Sequence, residues 1–254
     1  VQAATGRKSP SSEGEFGMQF VTVTGVRGPM NVVLRMSAGS SVAGCVTFDS
    51  DAPPNAEGFE IAAVPGDADF VSLADNPFAR ADIHGDWTFE MHGLNGPRRL
   101  ALLGAPDGWT VERISVNGAD VTDEPIAFGA DSAATANAEV ALTSRGTAIT
   151  GMVSDEAGAP APDVTVLAFA ADRNRWYSIS RFVSSARTSV DGGFTVSGLP
   201  AGSYYLVAVD AREIVDVTEQ LSNPEFLATL TSAATQVTLE RAQHSRINLR
   251  LSSR

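Results

Sequence analysis

The sequence predicts an all-β protein: two antiparallel β-sandwiches in tandem, with one short crossover helix. Three observations carry that expectation. First, a ten-residue pattern occurs twice, as Ala79-Arg80-Ala81-Asp82-Ile83-His84-Gly85-Asp86-Trp87-Thr88 and as Ala186-Arg187-Thr188-Ser189-Val190-Asp191-Gly192-Gly193-Phe194-Thr195. Arg187 follows Arg80 by 107 residues, and Gly151 follows Gly44 by the same 107. Self-similarity at a domain-sized period signals tandem copies of one fold rather than the short units of a solenoid. Second, apolar residues alternate along short segments with the period of two that a half-buried strand requires. Third, 23 Gly and 13 Pro punctuate 254 residues that are 43% hydrophobic and 19% charged, a composition of short elements joined by turns. That length fits about two domains.

Taken in order, residues 1–15 are polar and rich in Gly, Ser and Pro, and read as a disordered tail or linker. Phe20-Val21-Thr22-Val23 and Val32-Val33-Leu34-Arg35-Met36 have strand chemistry on either side of a turn at Gly28-Pro29. Leu34-Arg35-Met36, Val140-Ala141-Leu142 and Leu249-Arg250-Leu251 are versions of one closing strand. Three closings with two openings make residues 16–38 the terminal strands of a preceding repeat, and the chain a piece of a longer array. The expected sandwiches are residues 39–145 and 146–254.

Within them Val42, Gly44, Val46 and Phe48 share one strand face, as do Ile149, Gly151 and Val153. Trp87, Phe89 and Met91 form a further inward row, and Trp87 aligns with Phe194. Asn117-Gly118, between Ile114-Ser115-Val116 and Ala119-Asp120-Val121, is a two-residue hairpin signal. Gly198-Leu199-Pro200-Ala201-Gly202 turns into Tyr204-Tyr205-Leu206-Val207-Ala208-Val209. Helix is expected only at residues 224–232, with Asn223 as cap, Pro224 in the first turn, and Phe226, Leu227 and Leu230 on one face.

Charge narrows the partners. A net charge of −12 argues against a nucleic-acid backbone, which needs cations to displace counterions. Lys8 is the only lysine among 18 basic residues. No run of 18 apolar residues predicts a membrane span. Nor does a charged-then-apolar leader follow Val1, so a signal peptide is expected to be absent or already removed. Cys45 has no internal disulfide partner, and reads as a small packing residue that aligns with Met152.

Ile149-Thr150-Gly151-Met152-Val153-Ser154-Asp155-Glu156-Ala157-Gly158-Ala159-Pro160, then Asp191-Gly192-Gly193-Phe194 and Gly198-Leu199-Pro200-Ala201-Gly202-Ser203-Tyr204, resemble the bacterial carboxypeptidase regulatory-like domains. These are transthyretin-like (prealbumin-like) sandwiches with a carbohydrate-binding-like fold. The resemblance covers residues 146–254 closely. It is recognisable over 39–145, where His84 stands for Asp191 and two residues are inserted before Gly93. It implies a non-catalytic spacer or interaction module of an exported or cell-envelope protein, in the extracellular space, periplasm or cell surface. The partner is left unknown, with a glycan or another envelope protein as the classes it suggests. No cofactor is implied.

Chemical sites fare poorly against these residues. A zinc carboxypeptidase needs a His-x-x-Glu pair, but His84 is followed by Trp87, His92 by Asn95 and His244 by Ile247. Transthyretin-like urate-pathway hydrolases end in Tyr-Arg-Gly-Ser, and this chain ends Leu251-Ser252-Ser253-Arg254. No serine sits in a Gly-x-Ser-x-Gly elbow, so a hydrolase is the remote alternative. Asp49-Ser50-Asp51 and Asp67-Ala68-Asp69 do not continue into a calcium loop. No catalytic or metal residue is therefore expected. Some adhesin relatives lock themselves with a Lys–Asn or Lys–Asp isopeptide bond, which Lys8 in the tail cannot provide for either sandwich. The densest aromatic and guanidinium cluster spans residues 172–182. Within it Trp176 and Tyr177 could stack on a sugar while Arg175 and Arg181 bond hydroxyls, which makes a carbohydrate-binding module the alternative function. The same residues could instead pin a long segment onto the sandwich.

Overall fold

A computed structural model describes residues 2–4, 16–18, 21, 25, 31–36, 38–50, 58–66, 79–105, 108–129, 135–213 and 220–251. Two compact units emerge from it, Val1–Pro106 with Val111–Leu142, and Asp107–Thr110 with Thr143–Arg254. Ahead of the first sandwich, β1 (Gln2–Ala4) pairs antiparallel with β2 (Phe16–Met18), a ladder that the linker expectation did not include.

The first unit contains β3 (Ser40–Phe48), β4 (Glu60–Pro65), β5 (Ala79–Asp82), β6 (Thr88–Leu94), β7 (Gly96–Leu103), β8 (Thr110–Val116), β9 (Ala119–Asp120), β10 (Ile126–Phe128) and β11 (Ala136–Thr143). One sheet has the order β10-β7-β4-β5 and the other β6-β3-β11-β8-β9. Alternation fixes which side chains enter the core. Phe89 and Met91 of β6 are buried while Glu90 and His92 face out. Val42 and Val46 of β3 are likewise buried. Cys45, between inward Gly44 and Val46, is exposed, so the packing role expected for it is corrected by the alternation of its own strand. At the Asn117-Gly118 hairpin both residues take positive φ, +50° and +81°, as a type I′ turn demands.

The second unit contains β12 (Ala148–Ser154), β13 (Val164–Ala170), β14 (Val183–Arg187), β15 (Gly193–Ser197), β16 (Gly202–Asp210), α1 (Pro224–Leu230), β17 (Thr235–Leu239), β18 (His244–Arg246) and β19 (Leu249–Arg250). Its sheets are β15-β12-β18, with β19 also on β12, and β14-β13-β16-β17. Ile149, Val153, Phe194, Val196 and Leu249 from the first sheet meet Val166, Ala168, Tyr204, Leu206 and Leu239 from the second in one core. The Asn223 side chain caps α1 by accepting the Glu225 and Phe226 N–H groups at 3.0 and 3.2 Å. Leu227 and Leu230 then cover Leu167, Phe169, Val207 and Val209 on the outer face. Covered on both faces, β13 is buried at all seven positions.

Strand order is shared between the units: β10-β7-β4-β5 corresponds to β17-β16-β13-β14, and β6-β3-β11 to β15-β12-β18. The sheets are mixed rather than purely antiparallel, because β11 runs parallel to β3, and β18 and β19 parallel to β12. Each closing strand returns beside the opening strand of its unit, β11 soon after β10 and β18 soon after β17. Between β7 and β10 the first unit inserts the β8–β9 hairpin; between β16 and β17 the second inserts α1.

Register corrects the expected alignment of the two patterns. Gly44 pairs with Phe89 across β3 and β6, and Gly151 pairs with Phe194 across β12 and β15. Phe89, not Trp87, therefore stands where Phe194 stands. In the first turn the His84 N–H donates to Thr88 O at 2.8 Å and the Trp87 N–H to His84 O at 2.9 Å. In the second the Ser189 N–H donates to Gly193 O at 2.8 Å and the Gly192 N–H to Ser189 O at 2.9 Å. Trp87 occupies the place of Gly192, and both take positive φ, +65° and +79°. Asp86 corresponds to Asp191, so His84 does not replace it. The two extra residues of the first unit lie between Gly44 and this turn, not before Gly93.

Two further expectations meet the structure differently. Residues 32–36 form no strand, and Val33 is 76% exposed. Strand-like composition fits a pleated surface, but a ladder also needs a neighbour, and among the described residues none pairs with this segment. Of Phe20-Val21-Thr22-Val23 only Val21 is described, and it lies outside any strand.

The corrected register has a measurable consequence. Phe89 is 2% exposed, whereas Trp87 is half-buried on the turn, edge-on to Phe48 at 4.6 Å. Phe89→Ala is expected to cost roughly 3–5 kcal/mol in urea unfolding, and Trp87→Ala distinctly less. A larger loss from Trp87→Ala would return the core position to the tryptophan.

Candidate functional site

The aromatic and guanidinium cluster resolves into packing around Trp176. A 3-10 turn at Arg173–Arg175, capped by the Asp172 side chain, delivers Trp176 onto the outer sheet face beside α1. Trp176 is 3% exposed, edge-on to Phe169 at 5.4 Å, and its indole N–H donates to the Ala170 carbonyl at 2.6 Å. Arg173 lies over the Trp176 ring at 5.3 Å. Arg175 and Arg181 lie over the Phe182 ring at 4.6 and 5.1 Å, and Phe182 is itself buried. Tyr177 is half-buried. The rings of Trp176 and Tyr177 do not form an exposed flat platform, so stacking of Trp176 on a sugar has no free face to use.

The three histidines are exposed and lie on different elements. His92 Nδ1 sits 3.0 Å from Ser41 Oγ, and its Nε2 is 3.4 Å from Glu90. Among the described residues no three His, Cys, Asp or Glu side chains gather as a metal site. Of the acid pairs, Asp51, Asp67 and Asp69 lie outside the described residues.

What the second unit does offer is a groove of about 630 Å³, lined by Asp155, Pro160, Ala161, Pro162, Asp163, Val164, Arg187, Asp210, Ala211, Arg212 and Leu251. It is made by strand ends. After β12 the chain turns at Asp155, whose Oδ1 accepts the Ala159 N–H at 2.8 Å, with Gly158 at φ +83°. Pro160 bridges back to Ser154. Asp163 then enters β13 with φ +55°, left-handed backbone that Asp tolerates better than most non-glycine residues. Thr188 ties this loop to the end of β14: its hydroxyl donates to Ala161 O at 2.9 Å and accepts the Val164 N–H at 3.0 Å.

Charges in the groove are unequally committed. At the end of β16 Arg212 Nε donates to Asp210 Oδ1 at 2.9 Å, and the Arg212 backbone N–H reaches the same oxygen at 2.9 Å. These hydrogen bonds, the side-chain one first, hold the Asp210 carboxyl down to about 2. Arg187, the last residue of edge strand β14, is exposed and has no ion-pair partner among the described residues. Asp86 and Asp191 are also held below the ordinary carboxylate range, by hydrogen bonds from the Thr88 and Ser189 hydroxyls respectively. All three depressed acids stabilise turns or strand ends.

Asp155, Pro160, Arg187 and Leu251 enter the sequence reading as markers of the fold, and none of the groove residues is expected there as a site. The available signal was Pro160-Ala161-Pro162-Asp163, whose two prolines mark a turn, together with Arg187 at the close of β14 and Arg212 two residues past β16.

Residues 148–252 match the family model of the carboxypeptidase regulatory-like domain, in agreement with the resemblance of its motifs. No curated protein matches the chain. Solved structures similar to it include the TIE protein of Bacillus anthracis, at 10% identity over 86% of this chain and 36% of that one, with a TM-score of 0.28. A streptococcal ancillary pilin gives 11% identity, 83% and 68% coverage, and a TM-score of 0.29. The shaft pilin of Lactobacillus rhamnosus GG gives 13%, 85%, 98% and 0.29. The chain thus spans about a third of the length of the TIE protein it matches.

The depressed Asp210 sets a direction for acid unfolding. A carboxyl whose folded pKa lies below its unfolded value, ordinarily about 3.9, adds stability above that value and loses it as pH falls through about 2. Melting curves should therefore separate the native protein from Asp210→Asn most at pH 7, with the gap closing between about pH 4 and pH 2. A gap independent of pH would mean that the Arg212 pairing does not act on stability.

Proposed function

We propose that this chain is a non-catalytic interaction module of an exported or cell-surface protein, built from sandwiches at residues 39–145 and 146–254. The observation that carries the reading is the family match over residues 148–252, on a sandwich whose polar side chains are spent on its own turns and strand ends. Thr188 ties a loop, Asn223 caps a helix, and Asp191 and Asp210 are held ionised by local donors. Catalytic acids and bases are instead tuned toward neutral pH by burial or like charge, the opposite of what these acids experience. Arg187, which has no ion-pair partner among the described residues, lines an open groove, which suits recognition rather than chemistry.

Location tests the reading. An epitope inserted in the exposed Asn117-Gly118 hairpin of the protein in its native host should be lost when intact cells are treated with protease. Retention of the epitope until the cells are lysed would contradict an exterior role.

A further inference from the structure

We propose that the groove at the β13, β14 and β16 strand ends binds the free C-terminal carboxylate of a peptide, with Arg187 as the anchor; this rests on the interaction-module reading above. Guanidinium recognises carboxylate through paired N–H donors in a planar fork, and Arg187 is the groove cation without an ion-pair partner among the described residues. Arg212 is already directed by Asp210, so it shapes the rim rather than providing the anchor.

The remaining lining selects what carries the carboxylate. Pro160, Ala161, Pro162, Val164 and Leu251 supply an apolar floor, and the groove volume lies within the range of ligand sites. An apolar residue ending in a carboxylate satisfies floor and anchor together. Asp155 and Asp163 on the same lining oppose a ligand bearing many negative charges, such as a polyuronate chain. They leave room for one terminal charge placed on Arg187.

Long-range charge is compatible with that ligand. Residues 146–254 hold 9 Arg against 11 acids, whereas residues 1–145 hold 9 Lys and Arg against 19 acids. The acidic surplus of the chain therefore resides mostly in the other half, and a carboxylate approaching the groove meets a nearly balanced domain. The loop bearing Asp163 is fastened through Thr188, which immediately follows Arg187. The backbone that carries the anchor and the backbone of the floor are consequently fastened to each other, which lowers the backbone share of the ordering cost of binding.

The test uses the full chain and three probes: an acetylated leucine tripeptide as the free acid, the same peptide amidated, and an oligoglucuronate. Amide shifts of Val164, Arg187, Ala211 and Leu251 are followed by NMR. The free acid should shift them with a dissociation constant of about 1 mM or tighter. Amidation and Arg187→Gln should each weaken binding about tenfold or more, the variant retaining its native spectrum because Arg187 is exposed. Equal binding of acid and amide, unchanged affinity in Arg187→Gln, no shift with the free acid, or oligoglucuronate as the better ligand would each overturn the proposal. A silent groove in a protein that protease reaches on intact cells overturns this proposal alone. Binding by a protein that protease cannot reach overturns the exterior reading and leaves the site.

Discussion

In each sandwich the opening strand can run between its two neighbours because one residue has no side chain. A Cβ on Gly44 would stand 2.7 Å from Cζ of Phe89 and would collide with the Ala138 carbonyl. One on Gly151 would stand 2.9 Å from Cε1 of Phe194 and would collide with the Ile247 carbonyl. The phenylalanine comes from the antiparallel neighbour and the carbonyl from the parallel one. These glycines therefore permit a bulky ring and a closing strand to approach the same point from opposite sides. Without that approach the ring would leave the core or the closing strand would leave the sheet.

Much else follows from holding those strands together. Once β12 lies between β15 and the pair β18 and β19, its inward residues Ile149 and Val153 face β13 and β16 across the core. The far sheet can then vary on its outer side. In the second unit that side receives α1 and Trp176, which bury Leu167, Phe169, Val207 and Val209. In the first unit the corresponding connection is a strand hairpin added beyond β11. The strand ends around Asp155, Asp163 and Arg187 lie where backbone departs from the sheet and line the groove of the second unit.

Fold class, the helix with its Asn223 cap and the hairpin at Asn117-Gly118 were legible because each rests on short-range chemistry. Register was not. Matching Ala79-Arg80-Ala81-Asp82 to Ala186-Arg187-Thr188-Ser189 follows residue identity, yet Arg80 pairs with Ala62 whereas Arg187 pairs with Thr165. Turn geometry places Trp87 at a left-handed position that glycine fills in the other unit, and aromatic character alone could not separate Trp87 from Phe89. The cluster at residues 172–182 was visible as a cluster, but whether Trp176 faces in or out depends on α1, which is distant in sequence. The groove was illegible for the same reason: Asp155, Arg187, Asp210 and Leu251 belong to separate strand ends that only the finished fold assembles.

The claim that glycine is required at both crossings is tested most directly by urea unfolding of Gly44→Ala, Gly151→Ala and Gly85→Ala. Gly85 has open space at its Cβ position and no positive φ, so it isolates the effect of the methyl group itself. The crossing variants should each lose roughly 1–3 kcal/mol or more through overpacking against backbone, while Gly85→Ala stays within about 0.5 kcal/mol of the parent. Midpoints for Gly44→Ala and Gly151→Ala that match Gly85→Ala would contradict the account.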